Sequence, residues 1–187
     1  MDGLIARLAG ATIGETFNFY RDGAGAGTRR ERLAAYLGAR ATAPLLLVGE
    51  AAGYRGARVS GVPFTSERQL TGEGPAEATA TIVRRVLAEL DLEEETLCWN
   101  VVPTHPHIPD RPETNRRPTR AEIDASAPFL RELARGRRVL AVGRLAEAVL
   151  GGPYVRHPSH GGATDFRLGL LRFAVGGRPV RRFSVTT

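Results

Sequence analysis

The chain contains no lysine, a single cysteine (Cys98) and no apolar run long enough to cross a bilayer. Each absence excludes something. Without lysine there is no side-chain amine to form a Schiff base, and none to complete a GxxxxGK[ST] phosphate loop. One cysteine rules out an intrachain disulfide and a four-thiolate iron–sulfur or zinc site, and makes a reducing cytoplasm the expected compartment. Residues 1–13 hold no uninterrupted apolar stretch, so no membrane attachment is expected. No repeat or low-complexity tract occurs beyond the short DGAGAGT turn at 22–28.

What is present is ordinary in bulk and unusual in charge. At 187 residues, 42% hydrophobic and 25% charged, the chain is expected to form one soluble domain over 1–187, with residues 1–43 a helical segment packing on its core. All 26 basic residues are arginine and the net charge is +6. GC-rich codon usage is one explanation of the arginine preference. The net excess also fits a polyanionic partner, because guanidinium forks pair well with phosphate oxygens.

Helix and strand patterns alternate along the chain. Residues 28–39 put Leu33, Tyr36 and Leu37 on one helical face. Pro44 then introduces LLLV (45–48), a short continuous apolar run that reads as a buried parallel strand. A glycine-rich loop reaches Gly74, and Pro75 suits the first position of a helix ending near residue 90. Residues 96–100 form a second strand, followed by a loop over 101–118 with five prolines. A Thr119–Glu122 cap signature opens a helix to about residue 134. A strand over 137–142, a helix over 145–150, a short strand over 154–156 and a helix over 164–173 complete the pattern. This order predicts a three-layer α/β/α sandwich around a central four-stranded, mostly parallel sheet. Ligands of such sheets bind outside the carboxyl ends of the strands.

Three segments lie at those ends: LLLVGEAAGYRGARVSGVPF (45–64), TLCWN (96–100) and RHPSHGG (156–162). Each follows an apolar run with a group suited to a flat heterocycle. The Phe64 ring can stack on such a ligand or anchor its loop in the core. The Asn100 amide can donate to a carbonyl while accepting from a ring N–H, or cap the next turn. Trp99 beside it is expected on the opposite, core-facing side. A neutral His157 imidazole can stabilise developing negative charge, or satisfy a backbone group. Ser159 and the amides of Gly161 and Gly162 suit phosphate, though a plain turn into a helix explains the glycines too. His105 and His107 invite a metal reading, but their spacing is expected to point the rings apart, with no third ligand nearby. Neither a metal nor a cofactor is expected.

In this order the three segments resemble the uracil-DNA glycosylase superfamily, in which a GExxG-type loop, a strand ending in Asn and an HPS segment build one base pocket. The resemblance spans residues 45–171. It implies a monofunctional DNA glycosylase of base-excision repair, from a branch without an iron–sulfur cluster, that flips uracil or a related deaminated base and hydrolyses its N-glycosidic bond. It implies base contacts from Gly49, Gly53, Tyr54, Phe64 and Asn100, with His157 stabilising the departing anion. DNA contacts would come from Ser159, His160, Gly161 and Gly162, and Asn115 and Arg116 would buttress the pocket.

Departures from the pattern matter as much. Ala51 stands where the fastest members carry a water-positioning Asp, Ala52 where Pro is usual, and Thr104 where an aromatic is more usual. Glu50 is the nearest carboxylate, suited to orienting water or to anchoring the loop. Gly53 replaces a Tyr that walls off C5 of uracil, leaving a space that Tyr54 can fill from the next position. A catalytically weak or inactive DNA-binding protein of the same fold is the alternative that Ala51 supports; a small-molecule hydrolase is a third. The His160–Gly161–Gly162 stretch offers no bulky wedge, so the expected partner is uracil-containing DNA, single-stranded or mispaired, bound by a monomer.

Overall fold

Three leucines and a valine after Pro44 build the centre of the sheet. In the computed structural model, which describes residues 2–176, this run is β1 (Leu45–Ala51). It pairs in parallel with β2 (Thr96–Val102) on one side and β3 (Arg138–Val142) on the other. β3 in turn pairs in parallel with β4 (Tyr154–Val155), giving the order β2-β1-β3-β4. A strand covered on both faces reads as a continuous apolar run, and all seven residues of β2 are buried. The helices, in chain order, are α1 (Asp2–Gly10), α2 (Ala26–Ala39), α3 (Ala57–Ser60), α4 (Glu67–Thr71), α5 (Ala78–Glu89), α6 (Arg120–Ala134), α7 (Arg144–Leu150) and α8 (Ala163–Val175). None is long and apolar enough to cross a membrane.

The period-2 pleat divides the sheet's side chains between two cores. Leu46, Val48, Leu97, Trp99, Val101, Val139 and Ala141 pack with Leu4 and Leu8 of α1, Leu33 and Leu37 of α2, and Phe129, Leu130 and Leu133 of α6. Leu47, Cys98, Leu140, Val142 and Val155 pack on the other face, against Val83, Val86 and Leu87 of α5 and Phe166 and Leu170 of α8. Trp99 is fully buried on the first face, so Asn100 falls on the second. The chain leaves β1 for one edge of the sheet and returns past it to β3. Neighbouring loops therefore diverge above β1 and β3, and a crevice opens at the carboxyl ends.

Three departures from the sequence reading bear on the site. β1 and β2 run on to Ala51 and Val102, because these two residues are still paired in register. The glycine-rich loop contains α3 and α4, the latter held by a Ser66–Gln69 capping box. Pro75 does not start a helix. Its carbonyl accepts the Arg68 amide (3.2 Å), residues 75–77 stay outside helix, and Glu77, with extended backbone, becomes the residue preceding α5.

The Thr119 cap forms as its sequence signature predicts. Thr119 Oγ1 accepts the Glu122 amide at 3.2 Å, and the Glu122 carboxylate accepts the Thr119 amide at 2.8 Å. Glu122 is almost wholly buried and also takes the Arg116 guanidinium, with Nη1 donating to Oε2 at 2.8 Å. Gly14 (φ 51°) lies against it; a Cβ there would come within 2.6 Å of Glu122 Cγ. Burial disfavours the charge on Glu122, but the Arg116 hydrogen bond and the Thr119 amide outweigh it and hold the carboxyl below its ordinary value of 4.5. Its contribution to stability is therefore present above pH 4.5 and is lost as pH falls through the depressed value. Glu122→Gln should cost about 2–3 kcal/mol at neutral pH, since it leaves Arg116 without its counter-charge. It should also flatten the acid-side decline of the urea midpoint. An unchanged midpoint and an unchanged acid decline would refute this account of the pair.

Candidate functional site

The crevice is built around a missing side chain. Gly49 lies opposite Asn100 in the β1–β2 register. A Cβ on Gly49 would overlap Phe64 Cζ, lie 3.0 Å from Phe64 Cε2 and lie 2.9 Å from Asn100 Oδ1. Real Cβ atoms do not approach so closely, so glycine is what allows ring and amide to converge here. Phe64 is held with φ at 51°, a left-handed conformation that costs a non-glycine residue energy and points to a local constraint. Its ring joins the second core and also lines the pocket. Asn100 is 5% exposed and lines the same pocket, yet its side-chain amide hydrogen-bonds to no described residue. Its polar atoms are not among the fully buried, unpartnered ones, so they face the pocket opening, where a ligand or water can complete them.

His157 enters from the turn after β4 and is half-buried. The Ser159 backbone amide donates to His157 Nδ1 at 3.2 Å, and Ser159 Oγ lies 2.7 Å from the same nitrogen. An accepting Nδ1 assigns the proton of the neutral ring to Nε2, leaving that N–H as the free donor. Burial lowers the His157 pKa from its ordinary 6.5, and His160 adds to the effect, so the neutral ring is favoured. The turn itself needs His160 and Gly161 at positive φ (52° and 77°), and a Cβ on Gly162 would overlap the His157 carbonyl oxygen. The Gly162 amide is engaged with Ser159 O at 3.1 Å, so it is not one of the free phosphate donors expected from the sequence. His160 is exposed, with its Nδ1 3.0 Å from Ser159 Oγ.

Two carboxylates line the pocket: Glu50 at the end of β1, and Glu77, which sequence reasoning missed. Burial raises the Glu50 pKa while Arg117 pulls it down; burial alone raises that of Glu77. The space expected beside Gly53 is filled by Glu77, whose Oε1 would lie 2.9 Å from a Cβ at that position. Nor does Tyr54 supply a wall. Its ring is turned aside under the Arg58 guanidinium (4.2 Å), and its amide donates to Asn115 Oδ1 at 2.9 Å. Asn115 and Arg116 thus pin the proline-rich loop, Arg116 Nε donating to His107 O at 2.8 Å. The His105 and His107 rings do not point apart but stack, with centroids 5.8 Å apart at 26°. His105 pairs with Phe17 in an antiparallel β-bridge, and its buried ring has Nδ1 2.9 Å from Ala52 O and Nε2 3.2 Å from Pro112 O. A second groove, lined by Arg144, Tyr154, Arg156, Ser159 and His160, shares His157 with the pocket.

With this geometry in hand, comparison with known proteins adds two findings. The family model described as the Uracil DNA glycosylase superfamily matches residues 36–178. The crystal structure of wild-type SMUG2 from Pedobacter heparinus superposes with a TM-score of 0.65 at 14% identity, covering 94% of this chain and 95% of that one, a likeness of fold. No curated protein sequence matches the chain. The His157 assignment is open to direct measurement. Nitrogen-15 NMR of the imidazole should show an accepting Nδ1 and a protonated Nε2 at neutral pH, with protonation of the ring only below pH 6.5. A proton on Nδ1 at neutral pH would overturn it.

Proposed function

We propose that this chain, which belongs to the uracil DNA glycosylase superfamily, extrudes uracil or a related deaminated base from DNA and hydrolyses its N-glycosidic bond. The observation that carries the reading is the Asn100 amide, buried without a partner among the described residues, in one pocket with Phe64 and the neutral-favoured His157. Extrusion costs a few kcal/mol, and stacking on Phe64 returns about 1–3 kcal/mol. Asn100 then donates to a base carbonyl and accepts from the adjacent ring N–H. As the C1′–N bond breaks, the electron pair stays with the base and charge collects on its carbonyl oxygen. The His157 Nε2–H meets that charge with no proton transfer, the pattern of a preorganised anion site. Water adds at C1′ and its proton passes to solvent. Glu50, exposed at the strand end, orients that water.

The arginine-rich surface supports a DNA partner, and the His160–Gly161–Gly162 turn, lacking an apolar wedge, favours single-stranded or mispaired substrate. Ala51 lines the pocket without a carboxylate, and it favours a second reading, a DNA-binding protein with little or no turnover. Formation of abasic sites on uracil-containing oligonucleotides separates the two; binding without cleavage selects the second.

Within the first reading, His157→Ala should lower cleavage about 10²–10³-fold, as loss of one anion-site donor does, with DNA affinity little changed. Cleavage at the wild-type rate would remove His157 from this role. The absence of lysine gives a further expectation. Borohydride should trap no covalent adduct on uracil-containing DNA, and strands should break only after alkali or heat. A trapped adduct would mean that the terminal amine attacks C1′.

A further inference from the structure

Glu77 stands where several independent observations meet. It is the residue preceding α5, a place where an acidic side chain usually gains by turning toward the helix's unpaired amides. Its side chain makes no such bond. It reaches instead across the glycine loop, over two backbones that are bare beneath it. A Cβ on Gly56 would overlap Oε2, and one on Gly53 would lie 2.9 Å from Oε1. No described residue donates a hydrogen bond or an ion pair to this carboxyl group. The other titratable side chains lining the pocket are Glu50, from β1, and His157, from the turn after β4, and no arginine is among the lining residues.

We infer that Glu77 contacts the bound base itself, as a neutral carboxyl group donating a hydrogen bond to a carbonyl oxygen of a carbonyl-bearing base. The inference rests on the glycosylase reading and deepens it. A carbonyl oxygen has two lone pairs, and Asn100 occupies only one of them. A second donor completes the shell and, when the bond to the sugar breaks, shares the charge that His157 meets elsewhere on the ring. No proton moves in this step; the carboxyl keeps its hydrogen throughout. Loss of water with no compensating cation already raises the Glu77 pKa above its ordinary 4.5, and a base sealing the pocket removes more water. Glu50 is the more exposed of the two and has Arg117 beside it, so the two carboxylates divide their tasks by depth, Glu50 at the mouth and Glu77 on the base. A carboxylic acid kept neutral by its surroundings is an established kind of hydrogen-bond donor to developing anions.

The test uses Glu77→Ala and Glu77→Gln in the full chain, with thermal melting and binding of uracil-free DNA as checks that both variants fold. An amide keeps a donor in place of the neutral acid but does not titrate. Glu77→Ala should lower kcat/KM on uracil-containing single strands about ten- to a hundredfold, the order expected for one lost hydrogen bond to a charge-bearing group. Glu77→Gln should restore most of it. Wild-type activity should decline as rising pH ionises Glu77, and the glutamine variant should lack that alkaline limb. Free uracil, followed by ligand-observed NMR, should bind wild type and Glu77→Gln and bind Glu77→Ala at least tenfold more weakly. Glutamine as damaging as alanine would overturn the inference in favour of an ionised carboxylate. Equal uracil binding by wild type and Glu77→Ala would overturn it too. Should wild type cleave nothing, the glycosylase reading fails, while the uracil-binding comparison still decides the place of Glu77.

Discussion

Everything at this site depends on an atom that is not there. With no Cβ at Gly49, the Phe64 ring can lie across the end of β1 and the Asn100 amide can come up beside it from β2. Any other residue would push the two apart and close the crevice at its floor. The same device recurs at Gly53 and Gly56, which let the Glu77 carboxyl cross the loop, and at Gly162, which lets the His157 turn close. The pocket is shaped by where backbone is left uncovered as much as by the side chains that point into it.

Some buried polar groups of the scaffold are satisfied: Glu122 accepts from Arg116 and from Thr119, and Tyr20 Oη donates to Gly61 O at 2.9 Å. Others, Thr96 Oγ1, Trp99 Nε1, Ser126 Oγ and Arg138 Nε, are fully buried with no partner among the described residues. At the pocket, the Asn100 amide and the Glu77 carboxyl have no partner among the described residues. Both remain within reach of the pocket opening, where a ligand or water can pair with them.

Much of the scaffold was legible because it rests on local rules. The LLLV run, the Thr119–Glu122 capping box and the alternation of strand and helix each follow from residues close together in sequence, and the structure realises them. Glu50, Gly53, Phe64, Asn100 and His157, which line the pocket, could be named because they sit at strand ends or in the loop that leaves them, where a parallel sheet gathers its ligand groups. Glu77 could not. It lies in an irregular stretch that the pattern assigned to a helix, and its importance arises from bare backbone more than twenty residues earlier. His105 and His107 failed for a related reason: their stacking depends on backbone carbonyls at Ala52 and Pro112 that hold the first ring in place, not on spacing. Tyr54 was misplaced because Arg58, one helical turn on, draws its ring away from the pocket.

The long proline-rich segment between β2 and α6 carries one further consequence. Arg116 ties it at once to the His107 carbonyl and to the first turn of α6, while Asn115 ties it to the loop that leaves β1. A segment fastened at both flanks has no inexpensive opening of its own. For it to swing out, the start of α6 must fray and the Tyr54 amide must be released together. The rim of the crevice is therefore coupled to the start of a helix: fraying of α6 frees the rim, and a ligand that clamps the rim holds that first turn of α6 in place.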